Sequence, residues 1–470
     1  MIHNPVIPYN QSFYNAKSQE LCPFQFDAQQ ALDHQSICFF LATGFFIDDT
    51  THYRDIKVIK PATDVTLHGN KIIKQEPYWR WHYSPREISL KQAVEEFAHL
   101  FDKITQQQLA GKKVILPLSG GLDSRSQAAA IAGMKDVFAY SYDFRNGIPE
   151  TKYGEAIARA AGFKFNPYKI EPSYLWPKIE ALADINQCFS EFTHPRQMAI
   201  YDHYDQMGEI FYLGHWGDVL FDNMGVDDHL SNEEVLPLIY KKVLKKGGLE
   251  VARSLWQAWG LAGEFEDVLQ AKLLDLLNQI KIDNANARLR AFKSIHWAPR
   301  WTSINLSVFE SKHPMALPYY HEEMCKFICT VPEEHLAKRR IQMEYIKMKA
   351  PTLASISWQQ YDPYNLYNYE DFNKRKSLPL RAFKKIKRKA KSMIFDTQPV
   401  QRNWEIQFLG ADNDKKLRQY LFENVAFQNL VPQEVAKEYY TKFREKDGVF
   451  YSHPVSMLLT LSLFAKRHLA

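Results

Sequence analysis

The sequence predicts an α/β fold with more than one packed unit, and three observations lead to this prediction. Residues 114–118 form a short apolar run typical of a buried strand. Residues 124–132 are rich in alanine and predict a helix, which Gly133 is placed to end. The chain has 470 residues, which is too long for one compact core. We therefore expect at least two packed units, one of which contains this strand and helix.

The junction between the strand and the helix, "SGGLDS" at residues 119–124, predicts an anion site. Gly120 and Gly121 let backbone N–H groups approach phosphate oxygens, and the helix N-terminus favours negative charge. A Walker A loop is excluded, because Leu122 and Asp123 stand where that loop needs Lys followed by Ser or Thr. A carboxylate in a phosphate site requires a divalent cation, so Asp123 predicts a magnesium–nucleotide site. The alternative is a turn of small residues without a ligand.

Composition and charge exclude several classes of protein. The hydrophobic fraction of 46% and the charged fraction of 24% are typical of a soluble globular protein. A net charge of +5 is small for this length and gives no reason to expect nucleic acid as a partner. We find no apolar run of transmembrane length and no signal peptide at the start. The five cysteines are scattered, and Cys325 and Cys329 predict a packed apolar pair. A cytoplasmic location is expected.

The loop resembles the pyrophosphate-loop motif of ATP pyrophosphatases, and its surroundings resemble the synthetase domain of class B asparagine synthetases. β-Lactam synthetases, carbapenam synthetases and lasso-peptide cyclases are similar. The resemblance extends through residues 137–144, 150–170, 210–225 and 307–320 and the C-terminal helix. It implies a parallel-sheet domain of the adenine-nucleotide α-hydrolase type with helical additions. A short β-rich remnant of a glutaminase domain precedes it.

The resemblance also implies a reaction with ATP and Mg²⁺ as cofactors. A carboxylate is adenylated, pyrophosphate leaves, and ammonia or an amine attacks the acyl-adenylate. The implied metal ligands are Asp123 and Asp218, although Asp218 could instead cap a helix. The implied nucleotide-binding residues are Leu118, Ser119, Gly120, Gly121, Asp123, Ser124, Tyr142 and Gly214.

The N-terminal part departs from the family, whose glutaminase nucleophile is a cysteine directly after the initiator Met. Here Met1 is followed by Ile2, and the next cysteine is Cys22. Residues 39–79 nevertheless resemble the end of a glutaminase domain. We therefore predict a shortened, nucleophile-free glutaminase-like domain at 1–88 and a synthetase domain at 89–470. Ammonia or the amine would then come from elsewhere, for example from a separate protein.

Two residues are predicted to be catalytic. His215 lies three positions before Asp218, where relatives carry Glu or Tyr, and an imidazole with a near-neutral pKa can accept a proton from an amine. A histidine in such a turn can also simply bond to the backbone. Glu310 matches a family glutamate that could orient His215 or pair with a nearby base.

The family lysine that binds pyrophosphate is missing, since the matching segment 350–366 carries Gln359 and Gln360. The basic residues that could replace it are Arg125, Arg339, Arg340, Lys374, Arg375 and Lys376. Arg196 is a candidate for binding the acceptor carboxylate, because a planar guanidinium suits a carboxylate.

Residues 381–395 predict a basic amphipathic helix, which could contact an anionic membrane surface or simply pack its narrow apolar stripe on the protein. The leading hypothesis is an amide ligase that acts on a small-molecule or glycan carboxylate, such as a surface-polysaccharide uronic acid, or on a secondary metabolite. The alternatives are a nucleic-acid-modifying pyrophosphate-loop enzyme and a non-catalytic, degenerate synthetase that acts as a binding partner.

Overall fold

A computed structural model describes residues 1–24, 30–147, 149–374 and 400–469. The described strands form two sheets. An antiparallel sheet contains β1 (Ile2–Asn4), β2 (Phe13–Asn15), β3 (Glu20–Cys22), β4 (Ile56–Val58), β5 (Thr63–His68) and β6 (Lys71–Pro77). A parallel sheet contains β7 (Val114–Pro117), β8 (Val137–Phe144), β9 (Lys164–Ile170), β10 (Ile210–Tyr212) and β11 (Met315–Ala316). The predicted α/β class, with a β-rich N-terminal region, is confirmed.

The parallel sheet has the strand order β11-β10-β7-β8-β9. The chain runs outward from β7 through β8 to β9, and then crosses to the other side of β7 to form β10 and β11. The order therefore reverses between β7 and β10, and the loops after these two strands diverge there. Ligands of open α/β sheets bind at such a switch point, outside the carboxyl ends of the strands.

Helices cover the parallel sheet and form the rest of the fold. The α-helices of the first half are α1 (His34–Thr43), α2 (Leu90–Leu109), α3 (Leu122–Ala130), α4 (Thr151–Ala161), α5 (Ile179–Asn186), α6 (Gly217–Leu220), α7 (Asn232–Val243) and α8 (Gly248–Ala258). Those that follow are α9 (Phe265–Asn278), α10 (Ala285–Phe292), α11 (Ser303–Glu310), α12 (Glu322–Ile328), α13 (Glu333–Leu336), α14 (Arg340–Lys349) and α15 (Pro351–Ala354). After the undescribed stretch come α16 (Asn403–Phe408), α17 (Ala411–Phe422), α18 (Val425–Leu430), α19 (Gln433–Thr441) and α20 (Gly448–His468). A ten-residue π-helix, Lys293–Thr302, continues from α10.

The N-terminal region shares a core with the C-terminal helices. Helix α1 is almost entirely buried, and the backbone N–H of Lys245 donates to the carbonyl of Ala42 at 3.0 Å. From α20, the ring of His453 bonds to the carbonyl of Leu41 at 2.8 Å. The predicted boundary at residue 88 falls just before α2, whose N-cap is Ser89. This boundary remains a prediction. Helix α1, on its N-terminal side, packs against residues on its C-terminal side.

Helix α20 is long and apolar enough to cross a membrane by length and composition, a run that the sequence analysis overlooked. However, 78% of its apolar window is buried inside the protein, as expected for the core helix of a globular fold. Cys325 and Cys329 are buried in the apolar core that includes the strands of the parallel sheet. All five cysteines are free thiols. The predicted basic helix at 381–395 lies outside the described residues.

Candidate active site

The glycine-rich loop joins β7 to α3, as the sequence predicts, although the helix begins at Leu122 rather than Ser124. Its N-cap is Gly121, and no side chain caps it. The first N–H groups of α3 thus remain available to an anion. The hydroxyls of Ser119 and Ser124 lie 3.0 Å apart, and Ser119 Oγ accepts from the N–H of Gly121 at 3.2 Å. These serines hold the shape of the loop.

The loop after β10 approaches α3 so closely that two of its residues must be glycine. A Cβ on Gly214 would lie 2.7 Å from Gln127 Oε1 and 3.0 Å from the Cβ of Asp123. A Cβ on Gly217 would overlap Asp123 Oδ1 and lie 2.8 Å from the ring of Tyr319. Between them Trp216 adopts a left-handed conformation with φ 78°, and its indole N–H donates to Ser294 Oγ at 3.0 Å. This bond fixes the loop to the π-helix.

The two predicted metal ligands arrive from these two loops. Asp123 lies in the first turn of α3, and Asp218 lies in the first turn of α6. Burial raises the pKa of Asp123 to about 6, with Arg339 opposing the rise and Asp218 adding to it. Arg339 forms an ion pair with Asp123 Oδ1, and the amide of Gln342 donates to the same oxygen at 3.0 Å.

A cleft of about 660 Å³ opens at this edge of the parallel sheet. Most predicted site residues line it, namely Leu118, Ser119, Asp123, Ser124, Tyr142, Gly214, His215 and Asp218. Arg196 lines it as well, whereas Gly121 lines an adjacent cavity of about 630 Å³ together with Lys338 and Arg339. The sheet topology thus brings residues separated by a hundred positions into one site.

The asparagine synthase family model matches residues 96–344, which is more than half of the chain and includes both loops. The chain belongs to the asparagine synthase family. Membership makes it an ATP-using synthetase or ligase. A search of curated proteins gives no match.

Two solved structures are similar over part of the chain. One is an NH3-dependent NAD synthetase from Campylobacter jejuni subsp. jejuni NCTC 11168, at 15% identity, covering 40% of this chain and 95% of its own, with a TM-score of 0.20. The other is an NMN synthetase from Francisella tularensis, at 15% identity, covering 44% of this chain and 92% of its own, with a TM-score of 0.21. Similarity at these TM-scores gives no information about the substrate or the mechanism.

Glu310 does not line the cleft in this member of the asparagine synthase family. It is the last residue of α11 and lines a different cavity with Asn10 and Gln11, where burial raises its pKa and a hydrogen bond from Asn10 opposes the rise. The structure therefore does not place it where it could orient His215. Its match to the family motif gives its position in the chain but not the direction of its side chain.

His215 lines the cleft, but its chemistry differs from the expectation. Burial lowers its pKa to about 4, against an opposing effect of Asp218, so the imidazole is neutral at physiological pH rather than poised near neutrality. Its Nδ1 atom is buried and has no hydrogen-bond partner in the described part of the chain. A neutral imidazole with a free nitrogen can bind or orient a ligand, and it is a weaker base than expected.

Arg125 is also placed differently from its prediction as a phosphate ligand. Its guanidinium is fully buried and donates to the carbonyls of Ile356 at 2.8 Å, Ser357 at 2.9 Å and Leu353 at 3.2 Å. These bonds fix the segment that follows α15 against the phosphate loop. Arg125 therefore has a structural role.

Arg339 is the basic candidate that the structure brings to the loop. Lys338 and Arg339 both adopt left-handed conformations, with φ of 60° and 61°. Two successive non-glycine residues in this region are strained, and such strain is concentrated at functional sites. The turn presents Arg339 to Asp123. Lys374 pairs with Asp371 at 2.5 Å, Arg340 is exposed at the start of α14, and Arg375 and Lys376 lie outside the described residues.

Gln359 occupies the position over the phosphate loop. A Cβ on Gly120 would lie 2.6 Å from the Cβ of Gln359 and 2.8 Å from that of Tyr153. The segment that lacks the family lysine is thus folded against the loop, and this segment contributes Gln359 rather than a cation to the cleft lining. This contact also explains why residue 120 must be glycine.

Sequence reasoning missed several residues in the cleft, and two of them, Gln127 and Lys293, bear directly on its chemistry. Gln127, one turn after Asp123 on α3, is fully buried, and neither amide atom has a hydrogen-bond partner among the described residues. Lys293, the first residue of the π-helix, lines the cleft near Asp218, and burial lowers its pKa to about 8. The i,i+4 spacing of Gln127 from Asp123 could have indicated the first, but nothing in the sequence signals the second.

Proposed function

We propose that this chain is an ATP-dependent, AMP- and pyrophosphate-forming amide ligase that adenylates a carboxylate for attack by ammonia or an amine. The observation that carries the proposal is the uncapped N-terminus of α3 facing two carboxylates at the switch point of the sheet. An anion-binding helix end beside Asp123 and Asp218 suits a nucleotide that carries a divalent cation.

The residues present fit a magnesium ion that arrives with the nucleotide. Asp123 and Asp218 are close enough that the charge of Asp218 raises the pKa of Asp123, and a cation between them would relieve this repulsion. The described residues contain no group of three His, Cys, Asp or Glu side chains that could hold a metal alone. Phosphate oxygens would therefore complete the set of ligands, and the bound ion would neutralise charge on the leaving pyrophosphate.

The phosphates would be held mainly by backbone groups. The N–H groups at the start of α3 donate to phosphate oxygens, and the helix dipole favours their charge. Arg125 also contacts the loop, but its guanidinium is bonded to carbonyls. Arg339, which would exchange its bond to Asp123 for one to phosphate, takes the part of the missing lysine. The orphaned amide of Gln127 is a candidate for a further polar contact with the nucleotide, because a buried amide without a partner is costly.

The acceptor would bind where aromatic and cationic side chains line the cleft. Trp216, Trp297 and Trp301 line it together with Arg196 and Lys293. Lys293 lies 5.9 Å from the ring centroid of Trp216, and Arg196 lies 5.9 Å from that of Phe144. Neither cation forms an ion pair with a described residue. Unpaired cations call for an anionic ligand, and indole rings offer apolar faces to a sugar ring. A uronic acid fits both features.

The proposal does not use a thiol of the antiparallel sheet to release ammonia from glutamine. Cys22 lies in β3, and burial raises its pKa. A thiol with a raised pKa is a poor nucleophile. The proposal therefore takes free ammonia, or an amine on a second substrate, as the donor.

The test is release of pyrophosphate and AMP from MgATP with ammonium, across a panel of carboxylates that includes uronic acids and nucleotide-linked uronic acids. We expect carboxylate-dependent release that is lost in Asp123→Asn and Asp218→Asn. Asp136→Asn is the matched control, because Asp136 is exposed at the opposite edge of the sheet, just before β8. Absence of ATP binding by calorimetry would refute the ligase and leave the degenerate-synthetase hypothesis.

A further inference from the structure

A second large cavity lies outside the cleft described above. It has a volume of about 850 Å³ and is bounded by the antiparallel sheet, the segment 77–82 and the π-helix. Part of its lining consists of polar side chains that are bonded to one another or to backbone. Lys60 lies 3.4 Å from Asp48 and 3.7 Å from Asp49, and Arg300 donates to Gln11 at 2.7 Å and to the carbonyl of Phe46 at 3.3 Å. These groups give the cavity a fixed shape.

One wall of the cavity is the π-helix that also forms the wall of the ATP cleft. Lys293 and Trp297 face the cleft, whereas His296 and Arg300 line the second cavity. A π-helix of ten residues is rare, and shorter ones often mark functional sites. The two cavities are therefore separated by a single helix of unusual geometry.

Several groups in this cavity lack partners. His296 is only 7% exposed, yet its imidazole forms no hydrogen bond with any described residue. The indole N–H groups of Trp79 and Trp81 make none within the described ranges either, and the two rings meet edge to face at 5.0 Å. Arg80 is exposed at the rim without an ion pair to a described residue. These nitrogen atoms are reached by solvent in the cavity, so they are open to bond with a ligand that enters it.

We propose that this cavity is a second ligand site and that it binds an acidic sugar. The perpendicular indole rings of Trp79 and Trp81 present two apolar surfaces for the C–H face of a pyranose. The indole N–H groups and His296 would bond to its hydroxyls, and Arg80 would pair with its carboxylate. The lining contains no helix N-terminus or glycine-rich turn that would favour a phosphate over a carboxylate. The site does not depend on the proposed ligase activity.

The experiment is calorimetric titration of the full chain with trigalacturonate, galacturonate, galactose and AMP. We expect trigalacturonate and galacturonate to bind, galactose to bind more weakly, and AMP to leave sugar binding in this cavity unchanged. Trp79→Ala should weaken trigalacturonate binding about tenfold or more, which corresponds to about 1.4 kcal/mol. Trp79→Phe should restore most of the affinity, because it keeps an aromatic face.

The charge contribution is tested separately. Arg80→Gln should abolish the preference for galacturonate over galactose, whereas Arg159→Gln, at an exposed site on α4, should not change it. Thermal unfolding of each variant checks that the fold is retained. Failure of every sugar to bind at millimolar concentration, equal binding of galactose and galacturonate, or competition by AMP at the same site would overturn the proposal. A comparison of galacturonate with trigalacturonate distinguishes a free acidic sugar from a glycan chain.

Discussion

Lys293 offers a test in which stability and activity change in opposite directions. Burial lowers the pKa of Lys293 to about 8 from an ordinary value of 10.5, although the charge of Asp218 opposes this shift. At about 1.4 kcal/mol per pH unit, keeping this ammonium charged inside the protein costs about 3 kcal/mol. Lys293→Met keeps most of the side-chain volume and removes the charge. At pH 7 we therefore expect the free energy of unfolding to rise by up to about 3 kcal/mol, while carboxylate-dependent pyrophosphate release is lost.

The pH dependence of this gain identifies its cause. Because the native pKa is lower than the unfolded one, the wild-type protein gains stability as pH rises from 8 to 10.5, where only the unfolded lysine still binds a proton. The advantage of Lys293→Met should therefore shrink to about 1 kcal/mol at pH 9.5. Urea unfolding at both pH values measures it, and Lys241→Met, at an exposed lysine of α7, is the control. A destabilised Lys293→Met, or a gain that does not change with pH, would refute the reasoning.

Three further predictions concern the same site. Gly214→Ala should weaken ATP binding about tenfold in calorimetry. The reason is that the new Cβ would lie 2.7 Å from Gln127 Oε1 and force the loop away from α3. Unchanged affinity would show that the loop is not part of the nucleotide site. Arg125→Met should lower the free energy of unfolding by about 1 kcal/mol or more. Four carbonyls lose their donor at about 1 kcal/mol or more each, which outweighs the relief of removing a buried charge whose pKa burial lowers to about 10. Arg339→Met should instead raise KM for ATP with little change in stability, and the opposite pattern would exchange their roles. In a pH profile, kcat/KM for the carboxylate should fall above pH 8 as Lys293 loses its proton. Lys293→Arg should move this fall to higher pH. If the fall stays at the same pH in the variant, Lys293 does not bind the acceptor.

The sequence predicted the parts of the site that depend on local backbone chemistry. Gly120, Gly121 and Asp123 are recognisable because a strand, a tight turn and a helix N-terminus each impose residue types at fixed spacing. The helix began two residues earlier than expected, at Leu122, because a glycine N-cap needs no side chain and leaves no capping signal in the sequence.

The remainder depended on side-chain direction, which spacing does not reveal. Arg125 follows the phosphate loop directly, yet its guanidinium turns back to the carbonyls of 353–357. Glu310 lies within the segment 307–320 that resembles the family motif, but it lines another cavity. Lys293 and Trp297 reach the cleft through a π-helix, whose wider turn is invisible to an analysis based on the period of an α-helix. Arg339 reaches Asp123 through a strained turn, and no residue pattern predicts that turn.

The contacts of α1 and the segment after it with later helices have a consequence for how the chain is made. The bond from His453 to the carbonyl of Leu41 joins residues 412 positions apart, and the ring of His52 stacks on Phe464 at 4.2 Å. Helix α1 packs mainly on α8, Gly248–Ala258, so its buried face stays uncovered until the middle of the chain has emerged, and its contact with α20 forms last. Contacts of such high sequence separation slow folding, and exposed apolar surface invites aggregation meanwhile. Shielding of this early segment, by a chaperone or by provisional contacts with the emerging sheet, would then govern the yield of native protein.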